Sequence, residues 1–199
     1  MGYGVIKMIT LTESSNGEMP KDLDPKNNIC AVLKNEITGE KRWWFGSNIV
    51  TNDGDIYYAK KGAGETPATN ENFLQGRAEL RTGTVTPAKT NTYGYETGTT
   101  AGGLVTPVTA SRKTLESGYP KTNDSDTDNS GRSTDAVSYK YYWNTSAFNA
   151  TGILGGAIHD NASPADATKL LTHWTFAASF SKTANDTLTL FVNHTMNGV

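Results

Sequence analysis

The residues best placed by type and spacing to do chemistry lie between Asn123 and Asn129, where Asp124, Asp126 and Asp128 alternate with Ser125 and Thr127. Carboxylates at positions 1, 3 and 5 open an oxygen-lined Ca2+ loop, and Asp135 falls at position 12. Position 6, however, is Asn129 where the sharp turn wants glycine. Position 12 carries Asp in place of a bidentate Glu, and no helical pattern flanks the run. The reading is a solvated turn between strands; no metal site is expected, and Asp124, Asp126 and Asp128 are the residues that would hold one.

The histidines are His159, His173 and His194, and a nucleophilic triad would need one beside a reactive serine and a carboxylate. His173 and His194 fall in the last extended segments, opposite apolar positions or at an end, and read as surface or cross-strand residues. The motifs G-x-S-x-G, H-E-x-x-H and G-x-x-x-x-G-K-[ST] are absent. Gly62–Thr66 starts like a phosphate loop, but Pro67 follows and no helix does. The expectation is no catalytic residue, no cofactor and no enzymatic activity.

Aromatics are the remaining candidates. Trp43-Trp44-Phe45 and Tyr139 to Trp143 could stack on a sugar, as in carbohydrate-binding β-sandwiches. Adjacent strand residues point to opposite faces, so one tryptophan must leave the core, which equally describes a subunit contact. Trp43, Trp44, Tyr57, Tyr58 and Tyr142 are the interface candidates.

The elements that must position these residues read as strands. ICAVLKN and KRWWFGSNIV flank EITGE, a tight-turn sequence; Ile29, Ala31 and Leu33 share one face of the first, Trp43, Phe45 and Ile49 one face of the second. Asn52–Asp55 reads as a turn and DIYYAK after it as a short strand. Residues 61–72 read as a loop, and FLQGRAELRTGTV as a strand in preference to a helix because of Gly76 and the Thr-rich exit. Thr82 to Gly103 is a low-complexity polar stretch, residues 104–117 hold one strand, and 122–135 form a long polar loop. AVSYKYYWN places Val137, Tyr139, Tyr141 and Trp143 on one face; GILGGAIHD is another strand, and 161–169 a loop or one helical turn. From Lys169 onward, period-2 alternation on both sides of Asn185-Asp186 predicts a closing antiparallel hairpin. The sum is eight to ten strands with no amphipathic helix of ordinary length. This predicts an all-β fold: a jelly-roll-like or Greek-key antiparallel β-sandwich over 29–199, with long Thr/Gly-rich loops and residues 1–28 as an extended N-terminal arm or edge strand.

Composition agrees with thin sheets and many turns: 36% of residues are hydrophobic, glycine numbers 20, and threonine recurs at about one residue in seven. A net charge of -2 points to no nucleic-acid or anionic-membrane partner. Cys30 is the one cysteine, which excludes an internal disulfide, and it reads as a small core residue. The first residues lack a basic stretch followed by an apolar one, and no apolar run approaches the roughly 18 residues of a membrane span.

The phrases DPKNNICAVLKNEITGE, GSNIVTNDGDIYYAKKGAGETP, YPKTNDSDTDNSG and FSKTANDTLTLFVNHTMNG resemble those of small virion proteins of tailed bacteriophages. The resemblance implies a structural protein of the particle, β-rich, present in many copies and without an enzymatic site to carry over. Within that group a capsid cement, or decoration, protein fits best. Its expected partners are the major capsid protein and itself, as a homotrimer, on the outer capsid surface after synthesis in the host cytoplasm. A tail adaptor or receptor-binding fibre tip that binds host-surface glycan is the alternative. A carbohydrate-active enzyme ranks last, because it needs two carboxylates facing each other across a groove and the strands carry few acids beyond Glu79.

Overall fold

The computed structural model describes residues 29–68, 71–83, 86–93, 106–122, 136–160 and 169–195. The N-terminal arm of 1–28, the Asp124–Asp128 loop and most of the 82–103 and 161–169 stretches lie outside the described residues.

The long strands are β1 (Ile29–Asn35), β2 (Lys41–Val50), β3 (Arg77–Thr82), β7 (Ala136–Trp143), β8 (Ala150–His159), β9 (Leu170–Lys182) and β10 (Asp186–Thr195); β4 (Thr106–Pro107), β5 (Lys113–Thr114) and β6 (Lys121–Thr122) are two-residue pieces. All pairings among them are antiparallel. They form one continuous sheet in the order β4-β3-β8-β9-β2-β1-β10-β7-β6, with β5 also on β3. The predicted all-β class is therefore present, in sandwich-like form. Its jelly-roll character lies in the nesting of partners: β1 pairs β10, β2 pairs β9 and β3 pairs β8.

One sheet makes two layers by turning a corner in β9. Two steps along β8, Ile153 to Gly155, match five along β9, Thr175 to Phe180, so β9 bulges there. Gly46 lies opposite this bulge on β2, where a Cβ would come 2.4 Å from the Thr175 carbonyl oxygen; any side chain would push the two strands apart. The folded sheet encloses one main cluster that includes Leu33, Leu80, Tyr141, Trp143, Trp174 and Leu190. At the far ends, a single segment joins the two outermost long strands. Lys113 and Thr114 pair with β3, the Glu116 amide donates to the Lys140 carbonyl at 2.9 Å, and β6 pairs with β7. The Trp143 indole N–H also donates to the Ser111 carbonyl, at 2.7 Å.

Two expectations fail. The closing hairpin does not form: β9 and β10 follow each other across the Thr183–Asn185 turn, yet β2 and β1 lie between them in the sheet. Alternation reports which side of a strand is buried; it does not name the neighbour. DIYYAK is not a strand but part of an eleven-residue helix, α1 (Asn52–Gly62), so a helix of ordinary length is present. The supposed turn before it is a cap. The Thr51 hydroxyl accepts from the Gly54 amide, Asp53 and Asp55 stand in the first turn, and Lys60 and Lys61 in the last, matching both ends of the helix dipole. Gly54 lets α1 lie against β9, since a Cβ there would meet the Leu171 carbonyl oxygen at 2.3 Å. The helix plugs one end of the core with Tyr57, 3% exposed, whose ring meets Phe73 edge-on at 5.3 Å.

Candidate functional site

Strand parity divides the aromatic candidates. Trp44 stands opposite Ala31, a core residue, and packs against the core with its ring 4.7 Å from that of Phe180. Tyr57 is buried under α1. Tyr58 is partly buried and turns its hydroxyl toward His194 and Tyr139. These three interface candidates thus point inward. Trp43 and Tyr142 point outward, and the register places them in one row: Trp43, Val32, Thr189 and Tyr142 are cross-strand partners along β2-β1-β10-β7. The next outward row is Phe45, Cys30, Phe191 and Lys140. Cys30 is recessed there between two rings; it is buried as expected, but on the outer face.

Sequence reasoning missed the residues that finish this face. Tyr119 reaches over from the segment that joins β3 to β7. The ammonium of Lys121 lies 4.6 Å and that of Lys140 5.6 Å from its ring centre, and Lys140 is also 5.5 Å from that of Phe191. At the other end, the β1–β2 turn carries Ile37, 75% exposed, the most open large apolar residue among the described ones. Its signal was present: Ile in a tight turn has no inward face to occupy.

Two polar clusters stand out among the described residues, and both tie segments of the fold together. On the outer side of β3 the Glu79 carboxylate accepts from Arg112 at 2.9 Å and from the Tyr93 hydroxyl at 2.9 Å, with the His159 Nε2 3.7 Å away. Arg112 and Glu79 are only 12% and 17% exposed. Burial together with the negative charge of Glu79 pushes the Tyr93 hydroxyl up, so it stays a proton donor. Glu79, the main strand acid of the glycosidase reading, is thus engaged by a cation and a phenol. At the α1 end, Tyr58 and His194 approach to 2.5 Å. Burial pushes the His194 imidazole down to about 3 and the Tyr58 hydroxyl up, so Tyr58 donates to Nδ1 of a neutral ring. His173 and His194, read as surface or cross-strand residues, are buried at 0% and 2% exposure, His194 between the rings of Tyr58 and Tyr139.

Lys182 is a further buried cation, at 1% exposure, and donates to the carbonyls of Thr145, Phe148 and Thr183. Burial lowers its pKa, and the three carbonyls explain its place: it ties the β7–β8 connection to the end of β9. Among the described residues no group of three or more His, Cys, Asp and Glu side chains is placed to hold a metal ion, and no helix is long and apolar enough to cross a membrane. What the described surface offers is the outward face of β2-β1-β10-β7. Comparison with protein-family models, with curated proteins and with solved structures gave no match.

Proposed function

We propose that this chain is a structural virion protein of a tailed bacteriophage, a cement protein that binds the outer capsid shell between capsomers and stabilises it by multivalent contact. The observation that carries the reading is the outward aromatic row from Trp43 to Tyr142. The core on the other side of those strands is already packed, so these rings add nothing to it and suit a contact with another chain. A flat sheet face fits the surface of a large assembly better than it fits a small ligand, which needs a concave site. The resemblance to virion proteins supports the same reading. Self-association, with a trimer as the expected form, would present several such faces together and multiply a weak contact.

The test is cosedimentation of the purified chain with phage shells that lack it. Binding is expected, with a rise in the shell's melting temperature, and loss of binding in a W43A/Y142A double variant. Absence of binding to shells, together with recognition of host-surface sugars on a glycan array, would replace this reading with a tail-tip role.

A further inference from the structure

Helix α1 is attached to the rest of the fold in two ways. At its start the attachment is backbone: the Thr51 amide donates to the Leu171 carbonyl at 3.1 Å and the Asn52 amide to the Lys89 carbonyl at 2.8 Å. Farther along, four of its ties are side chains that titrate. Asp53 accepts from Lys169 at 2.9 Å, Asp55 pairs with Lys89, Lys60 donates to Glu71 at 2.5 Å, and Tyr58 donates to His194. The chain that follows, Ala63 to Thr66, is exposed and can follow a moving helix.

His194 is the sensitive point. Its Nδ1 accepts from Tyr58, so Nε2 carries the hydrogen, and Nε2 is buried with no hydrogen-bond partner among the described residues. The titratable groups facing the ring are the hydroxyls of Tyr58 on α1 and Tyr139 on β7, with Tyr57 and Tyr141 next to those. Glu71 and Asp160 face the ammonium of Lys169. A second proton on the imidazole goes to Nδ1 and makes both ring nitrogens donors. The Tyr58 hydroxyl then meets an N–H and must turn its own proton away, and a positive charge is left buried among phenols.

We propose that α1 is an acid-released plug, which hinges at Thr51 and opens as a unit when His194 is protonated, while the sheet stays folded. The inference stands apart from the shell-binding reading. Opening hydrates the imidazolium and breaks the contacts of one helix, whereas unfolding would break the strand ladders from β3 to β7 as well. Backbone ladders carry no titrating group, so acid leaves them in place. Further acid removes the charge of the carboxylates that pair with Lys169, Lys89 and Lys60, so these four ties weaken in the same direction. The opened end bares the rings of Tyr57 and Phe73, which meet edge-on in the closed state.

The experiment is hydrogen exchange of the full chain, read by mass spectrometry at about pH 7 and about pH 4.5, with rates corrected for the intrinsic effect of pH. The closed imidazole titrates at about 3 and an opened one at its ordinary 6.5, so opening gains up to about tenfold per pH unit between them. Protection over residues 51–63 should fall at least about tenfold, while protection in β1 and β10 holds within about twofold. His194→Gln, which still accepts from Tyr58 and takes no proton, should keep α1 protected at about pH 4.5. Tyr58→Phe removes the tie and should lower α1 protection already at about pH 7, with the sheet unchanged. Should His194→Gln fail to fold, Tyr58→Phe decides alone. The proposal is overturned by equal loss of protection in helix and sheet, or by an α1 that acid does not open. It is equally overturned by a His194→Gln chain that opens as the wild type does, or by a Tyr58→Phe helix as protected as wild type at neutral pH.

Discussion

The two outer sides of the sheet are built from similar materials and end differently. Over β3 and β8, Tyr93 and Arg112 come down from flanking segments, and Glu79 takes both, leaving the ion pair under 20% exposed. Over β2, β1, β10 and β7, Tyr119 comes across among the described residues, Trp43 is half-buried, and Tyr142 stays open to solvent at 38%. The first side closes on itself with a charge pair that cannot be opened cheaply. The second keeps the Tyr142 ring exposed. A strand that turns neighbouring side chains to opposite faces separates residues it needs to fold, such as Trp44, from those it can use to bind, such as Tyr142.

The largest effect that tests this contrast is on the inner side of the boundary. Trp44→Ala should cost about 3–5 kcal/mol in chemical denaturation, because it empties a packed position against Phe180, while Trp43→Ala, one residue away, should cost well under half as much. Equal losses would erase the distinction between the faces. Next, Glu79→Ala leaves Arg112 partly buried without its carboxylate and should cost about 2–3 kcal/mol. A change within about 0.5 kcal/mol would mean that the sealed side is no more committed to stability than the open one.

His194 supplies a smaller, pH-dependent effect from the core beneath. Its folded pKa of about 3 lies below the ordinary value of 6.5, so between these values the unfolded chain binds a proton that the folded chain refuses. Stability is therefore lost as pH falls through this window, by about 1.4 kcal/mol per pH unit, and recovered as pH rises. Unfolding free energies at about pH 6.5 and 4.5 should show this slope in the wild type and a flatter one in His194→Gln. Identical slopes would assign the acid sensitivity to Glu36, Glu71 and Asp186, whose partners hold their pKa values low. Smallest of all, Lys41→Gln should move the melting temperature by no more than about a degree, in keeping with the modest worth of surface charges.

Much of the fold was legible because buried strands advertise themselves. Ile29, Ala31 and Leu33, and again Tyr139, Tyr141 and Trp143, show the alternation that a one-sided core demands, and all six are buried. Partner choice was not legible: β9 and β10 alternate just as a hairpin would, and only the whole arrangement shows that β2 and β1 slot between them. Helix α1 was hidden because its apolar residues are few and Asn52-Asp53-Gly54 is turn-like until Thr51 is recognised as a cap. Of the face, Trp43 and Tyr142 were visible as excess aromatics, since neighbours in a strand cannot both be inside. Tyr57 and Tyr58 were misplaced along with their helix. The meeting of Lys121 and Lys140 at the Tyr119 ring was invisible, because β6 and β7 come together only through register.

The segment from Lys113 to Thr122 has a consequence for how copies of this chain meet at high concentration. By giving both β3 and β7 a backbone partner, it fills hydrogen-bonding positions along the margins where sheets of neighbouring molecules would otherwise zip together. Crowded molecules are thereby steered away from open-ended strand-to-strand stacking and toward side-chain recognition.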